Sequence, residues 1–239
     1  GVAMSLPTPG PDRTALVTGA SSGIGAMIAR ELARRGHHVT LVARSTDKLK
    51  ALAAELVNAD VIALDLADRA GRASLLDLIA ERGRVPDILV NNAGLSTLGA
   101  VSKSDPAAEI NMIEIDVVAV ADLCSRILPG MVQRGRGAVL NVASTAAFQP
   151  LPGQAGYGAA KAFVLSYTQS LAGELRGTGV TATTLCPGPV HTGFGERAGF
   201  SDEDAEAALP AVMWVTAEDV AKSAVEAMAK GRLVVIPGK

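Results

Sequence analysis

Thr14-Ala-Leu-Val-Thr18-Gly19-Ala20-Ser21-Ser22-Gly23-Ile24-Gly25 decides the fold. Five apolar or β-branched residues run as a strand into a turn built of glycine, alanine and serine, and helical spacing takes over at Gly23. Glycines let the backbone bend sharply and come close to a bound group. The N–H groups of the helix start then face that group with partial positive charge, which suits a phosphate or pyrophosphate. The spacing is Gly-x3-Gly-x-Gly, not the Gly-x-Gly-x2-Gly of the commoner dinucleotide fingerprint. A ligand-free turn could use the same residues, so the motif is weighed against the rest of the chain.

Outward from this turn the same alternation repeats. Near-continuous apolar runs at 14–18, 38–43, 60–65, 87–91, 138–142, 180–186 and 233–236 read as strands buried on both faces. Amphipathic stretches at 23–35, 46–57, 68–82, 106–134, 155–177 and 217–230 read as helices. Gly36, Gly83, Gly135 and Gly177 sit where left-handed caps are expected, and Asp105-Pro106 and Thr216 look like helix starts. The expectation is an α/β, Rossmann-type doubly wound parallel sheet of about seven strands with helices on both faces. Residues 14–239 read as one domain, in which residues 187–215 form the one long irregular stretch, of a length that is usually functional or mobile. Gly1-Val2-Ala3 before Met4 looks like a cloning remnant, so residues 1–13 are expected to be a disordered lead.

Composition narrows the function classes. The 239 residues carry 22 basic and 24 acidic side chains and are 49% apolar, enough for a large core. A net charge of -2, with no Lys/Arg block, argues against nucleic-acid or membrane-surface binding. No apolar run approaches a membrane span, and the start lacks a signal-peptide pattern. Cys124 and Cys186 form no redox or metal spacing, and no metal site is expected. A soluble protein of the reducing cytosol fits best.

Strand ends carry the chemistry. After the second strand an acidic residue would select NAD by binding ribose hydroxyls, whereas an arginine accepts the extra phosphate of NADP. The chain has Arg44 there and no carboxylate, so NADP is favoured over NAD. Asp65, followed by Leu66, ends the third run and can either bind adenine or cap the next helix. Tyr157 and Lys161 lie four apart on one helix face. A free phenol, with a pKa near ~10, is a poor acid–base group at neutral pH. An ammonium ~4 Å away supplies about the energy needed to change that. Ser144 follows the fifth strand, Asn91-Asn92-Ala93-Gly94 ends the fourth and Pro187-Gly188-Pro189-Val190 ends the sixth. These places meet at the carboxyl edge, where open α/β sheets bind ligands.

Together these motifs resemble the short-chain dehydrogenase/reductase family in its single-domain form. The likeness runs from Thr14 to Gly238 and rests on residues 18–25, on 91–94, on Ser144 thirteen residues before Tyr157, on Tyr157-x3-Lys161, and on Pro187-Gly188 followed by Val190-x-Thr192. The resemblance implies reversible hydride transfer between a nicotinamide and a carbonyl or alcohol carbon. It implies Tyr157 as acid–base group, Ser144 as the residue that orients the substrate oxygen, and Lys161 as ribose ligand and tyrosine activator. It places the pyrophosphate on Gly19, Ser21, Ser22, Gly23, Ile24 and Gly25. The adenosine end falls to Arg44, Asp65 and Leu66. The nicotinamide end falls to Asn92, Ala93 and Gly94, then Pro187, Gly188, Val190 and Thr192, beside Tyr157 and Lys161.

One position departs from the pattern. The family usually has asparagine where this chain has Asp116, at a site that holds a water in the proton relay behind the lysine. A role for the backbone carbonyl would survive the exchange, whereas a buried carboxylate near Lys161 would alter a side-chain role. Asn111, five residues earlier, points elsewhere on the helix. Asp116 is expected to occupy the relay position.

The remaining candidates read more plainly. His37 and His38 are expected to face solvent in a turn, Cys186 to pack, and His191 to lie in a loop near the carboxamide. The acidic run at 201–206 reads as a solvated helix start. Phe194, Phe200, Leu209, Val212, Met213 and Trp214 give this stretch an apolar character: they can form a water-excluding lid or simply pack on the sheet, and a lid that lines the pocket favours a ketone, aldehyde or 3-oxoacyl substrate. A non-catalytic NADP-binding regulator or scaffold is the alternative, and Asp116 is the only feature leaning toward it. The resemblance also suggests a homodimer or homotetramer built on the helices at 106–134 and 155–177.

Overall fold

A computed structural model describes residues 6–191 and 215–238. Seven parallel strands form the main sheet: β1 (Arg13–Thr18), β2 (Val39–Ala43), β3 (Ala59–Ala63), β4 (Val85–Asn91), β5 (Gly137–Val142), β6 (Val180–Leu185) and β9 (Val234–Val235). Their order is β3-β2-β1-β4-β5-β6-β9, the doubly wound arrangement expected from the alternating pattern. Two further strands, β7 (Val190–His191) and β8 (Val215–Thr216), pair in parallel within the stretch read as irregular. The strand order reverses between β1 and β4, so both chain segments leave the sheet at one crevice.

The strands are apolar on both faces because helices cover both. One layer packs α1 (Gly23–Arg34), α2 (Thr46–Leu56) and α7 (Ala217–Ala229) on Val17, Leu41, Val90 and Leu140. The opposite layer packs α3 (Arg69–Ala80), α5 (Ala119–Arg134) and α6 (Ala155–Glu174) on Leu16, Val42, Leu89 and Val139. Asp105 caps α4 (Pro106–Ile113) through the Ala107 N–H at 3.1 Å, and Thr216 caps α7 through the Asp219 N–H at 3.1 Å. Among the described residues, no helix is long and apolar enough to cross a membrane.

Four expectations need correction. The stretch 106–134 is not one helix: a π-turn, Glu114–Val118, separates α4 from α5. Such a turn adds a residue to the helical repeat and shifts every following side chain around the axis. The last strand is two residues long. The third strand ends at Ala63, so Asp65 lies beyond it, and Asp68 rather than Asp65 caps α3. His37 and His38 are buried, not solvent-facing. His38 places Nδ1 2.8 Å from Thr14 Oγ1 and Nε2 3.1 Å from an Asp60 carboxylate oxygen, so its ring nitrogens have partners inside the fold. Thr192, the acidic run at 201–206 and the six apolar lid side chains lie outside the described residues, as do positions 1–5.

Candidate active site

The glycine turn is built to let chains approach closely. Gly19 has φ +61°, and a Cβ there would stand 2.7 Å from the Ala93 Cα. A Cβ on Gly25 would run into the Gly19 carbonyl and the Asn92 amide. Thr18 stitches this turn to β4: its Oγ1 donates to the Val90 carbonyl at 3.3 Å and accepts from the Asn92 and Ala93 N–H groups at 3.0 and 3.1 Å. Asn92 Nδ2 adds a bond to the Gly19 carbonyl at 3.1 Å. Ser22 stands at the N-cap of α1 without making a side-chain cap bond, and the first turn carries no acidic residue. The Ser22 hydroxyl and the N–H groups at this helix end therefore suit an anion.

Arg44 follows β2 directly, is exposed, and makes no ion pair among the described residues. The Ala20 N–H bonds the Val42 carbonyl at 3.4 Å and the Leu64 N–H bonds the Ala43 carbonyl at 3.1 Å. These bonds gather the glycine turn, Arg44 and the Asp65-Leu66 segment at one sheet edge. Asp65 accepts from the Ala67 N–H at 2.9 Å in a local turn, and Leu66 is buried. This edge fits a dinucleotide bearing an extra phosphate: open backbone space, helix-end donors and a guanidinium with no ion pair among the described residues.

A cleft of about 200 Å³ opens where β4, β5 and β6 end. Ile24, Asn92, Gly94, Ser144, Tyr157, Lys161, Pro187 and Gly188 line it, so eight residues singled out from sequence share one cavity. Ser144 Oγ accepts from the Ala146 N–H at 3.0 Å, which holds the hydroxyl at the mouth of a short 3-10 turn. Tyr157 and Lys161 are 7% and 6% exposed, with the ammonium 5.7 Å from the ring centroid. Lys161 Nζ also donates to the Val142 carbonyl at 3.2 Å, anchoring it behind β5. The backbone of Val190 falls in β7, beyond Pro187 and Gly188.

Asp116 reaches this site from the π-turn and is 1% exposed. Its Oδ1 accepts from the Leu95 N–H at 2.7 Å, while Oδ2 is buried without a hydrogen-bond partner among the described residues. A Cβ on Gly94 would lie 3.4 Å from Lys161 Nζ and 3.5 Å from Asp116 Oδ1, so glycine leaves no side chain between ammonium and carboxylate. Burial pushes the Asp116 carboxyl up to about 6, against the opposing pull of the Lys161 charge and the Leu95 N–H. Asn111 is exposed and plays no part here.

Two features of the site escaped the sequence reading. Gln154, three residues before Tyr157, lines the cleft and donates from Nε2 to Ser96 Oγ at 3.1 Å. Behind the site, Asn91 Nδ2 donates to Asn141 Oδ1 at 2.9 Å, and Asn141 Nδ2 to Thr168 Oγ1 at 2.9 Å. Asn91 is therefore a buried brace between β4 and β5, and a polar residue facing another across two apolar strands was the available signal. Burial pushes the Cys186 thiol up to about 11, in keeping with packing rather than reactivity.

Comparisons with known proteins place the chain in a family. The family model described as short chain dehydrogenase matches residues 13–202. The chain is 36% identical over 216 residues to the NADP-dependent 3-hydroxy acid dehydrogenase YdfG of Salmonella typhi, covering 84% of this chain and 87% of that protein. It is 35% identical over 213 residues to sulfoacetaldehyde reductase 2 of Chromohalobacter salexigens, covering 87% and 84%. Among solved structures, a short-chain dehydrogenase from Sphingobium yanoikuyae in complex with NADPH superposes with a TM-score of 0.85 at 34% identity, covering 94% of this chain and 87% of that one. The sheet order, the glycine turn, the clustered cleft residues and these matches lead to one conclusion: the chain belongs to the short chain dehydrogenase family of oxidoreductases.

Proposed function

We propose that this chain uses NADP(H) to interconvert a carbonyl and an alcohol on a mostly apolar ketone, aldehyde or 3-oxoacyl substrate. The observation that carries the reading is the gathering of Tyr157, Lys161 and Ser144 in one cleft, next to a glycine turn and Arg44. Gly19, Ser21, Ser22, Gly23, Ile24 and Gly25 would take the pyrophosphate, and Arg44 with Asp65 and Leu66 the adenosine end. Asn92, Ala93, Gly94, Pro187, Gly188, Val190 and Thr192 would border the nicotinamide. The NADP named in two of the relatives above supports this preference.

When bound, the reduced nicotinamide supplies the hydride that the carbonyl carbon accepts. The Tyr157 hydroxyl donates its proton to the carbonyl oxygen in that direction and takes it back in the other. Ser144 donates a hydrogen bond that orients and polarises the same oxygen. The Lys161 ammonium favours the ionised phenol left behind and holds ribose. Asp116 keeps the Leu95 backbone in place and occupies the relay position behind the lysine. A homo-oligomer built on α5 and α6 completes the reading, and sedimentation as a monomer would remove that part.

The test is steady-state loss of NADPH absorbance over a panel of ketones, aldehydes and 3-oxo esters, beside NADH and a Tyr157→Phe control. Turnover that depends on Tyr157 is expected. NADPH binding with no turnover on any carbonyl would instead favour a regulator of the same fold.

A further inference from the structure

Arg72 is the largest fully buried side chain described, at 1% exposed, and the proposed chemistry does not use it. A guanidinium in that position needs its donors matched, since an unmatched buried charge is strongly destabilising. Its three bonds go to two separate parts of the molecule. Nη1 donates to the Leu66 carbonyl. Nη2 donates to Glu114 Oε1 at 3.0 Å, and Nε to Asp122 Oδ2 at 2.8 Å.

These acceptors have distinct duties. Leu66 belongs to the segment assigned to the adenosine end, which the Leu64 N–H ties to the end of β2. Glu114 is the first residue of the π-turn, and Asp122 lies on α5 just beyond it. One planar fork therefore grips the turn from both sides, and Asp116 sits between the two gripped residues. Glu114 and Asp122 are each braced again, by Arg69 at 3.0 Å and Arg126 at 2.7 Å. The π-turn replaces the i to i+4 bonding of the helix around it with i to i+5 bonds, and these side-chain contacts flank it. Lysine could keep the charge but not the three-way fork.

We propose that Arg72 is a positioning residue that holds the Leu66 segment and the Asp116 turn in register, so that one guanidinium sets the geometry of both ends of the cofactor groove. The proposal rests on the reading that the groove binds NADP(H) and that the cleft reduces carbonyls.

The test compares the wild-type chain with Arg72→Lys and Glu114→Gln. Adenosine 2′,5′-bisphosphate, titrated by calorimetry, probes the adenosine end alone. Turnover of ethyl acetoacetate at saturating NADPH probes the catalytic end, and thermal melts report folding. Arg72→Lys is expected to weaken the bisphosphate roughly tenfold and to lower kcat by a similar factor. Glu114→Gln replaces one charged acceptor of the turn by a neutral one, which weakens that side of the grip and leaves the Leu66 bond, so kcat should fall while bisphosphate affinity stays within about twofold. A purely structural role would lower the melting temperature of either variant and leave bisphosphate affinity and kcat at wild-type values, and that result overturns the proposal. If Arg72→Lys does not fold, Glu114→Gln decides, and an unchanged kcat there is enough to reject it. Failure of the wild-type chain to bind NADPH, or to turn over any carbonyl of the panel, would strike the functional reading instead.

Discussion

Replacing Asp116 with asparagine tests what a carboxylate is doing beside Lys161 in the cleft. Burial raises this carboxyl from 3.8 to about 6, even with the Lys161 ammonium near it and the Leu95 N–H on Oδ1. The gap corresponds to about 3 kcal/mol of unfavourable free energy for the ionised folded form. The sign follows from linkage. Between about pH 4 and 6 the folded chain binds the proton that the unfolded chain has released, so this group's contribution falls as pH rises and the full penalty applies above 6. Asparagine can accept the Leu95 bond without the charge, but its Nδ2 would enter the place where Oδ2 has no partner, which returns about 1–2 kcal/mol. The expected net gain for Asp116→Asn is about 1–2 kcal/mol at pH 8, measured by urea unfolding of both proteins. Repeating the titration at pH 5 should shrink the advantage by about 1 kcal/mol, because the wild-type carboxyl is then mostly protonated. Turnover should be preserved or raised. Parallel stability–pH curves for the two proteins would refute the burial argument. A large loss of turnover at unchanged stability would show that the carboxylate itself takes part.

Three other substitutions probe separate links. Tyr157→Phe should lower kcat by about 10²–10⁴ while NADPH binding, followed by fluorescence, stays near wild type; turnover within a few fold of wild type would remove Tyr157 from the mechanism. Arg44→Ala should weaken NADPH by roughly tenfold or more and leave NADH nearly unchanged, since only the former has a phosphate to lose. Equal effects on both cofactors, or tighter NADH binding by the parent chain, would end the assignment. Gly25→Ala places a methyl against the Gly19 carbonyl and the Asn92 amide, so weaker NADPH binding and a lower melting temperature are expected from calorimetry and thermal melts.

What the sequence disclosed, and what it hid, divide along the range of the interactions. The strands were visible because burial on both faces leaves runs such as Ala15 to Val17 and Val139 to Leu140 without polar interruption. The caps at Asp105 and Thr216 were visible because the acceptor and the N–H it serves lie two or three residues apart. The residues that share the cleft could be named because the proposed chemistry calls for particular side chains at strand ends, and a parallel sheet brings those ends together. The π-turn left no such mark, since one extra residue in a helix of mixed apolar character changes the period too little to read. Yet that residue sets where Asp116 points, so the position could be named from its place in the chain while its burial and its contact with Leu95 could not. His38 misled for the opposite reason. A polar pair before a strand reads as solvated unless Thr14 and Asp60, distant in sequence, are known to be waiting for the ring. Arg72 belongs with these: its partners lie 6, 42 and 50 residues away, and nothing local sets it apart from its exposed neighbour Arg69. The residues proposed for the chemistry thus stand out by type and spacing, whereas the one proposed to position them is marked by contacts that exist only once the chain has folded.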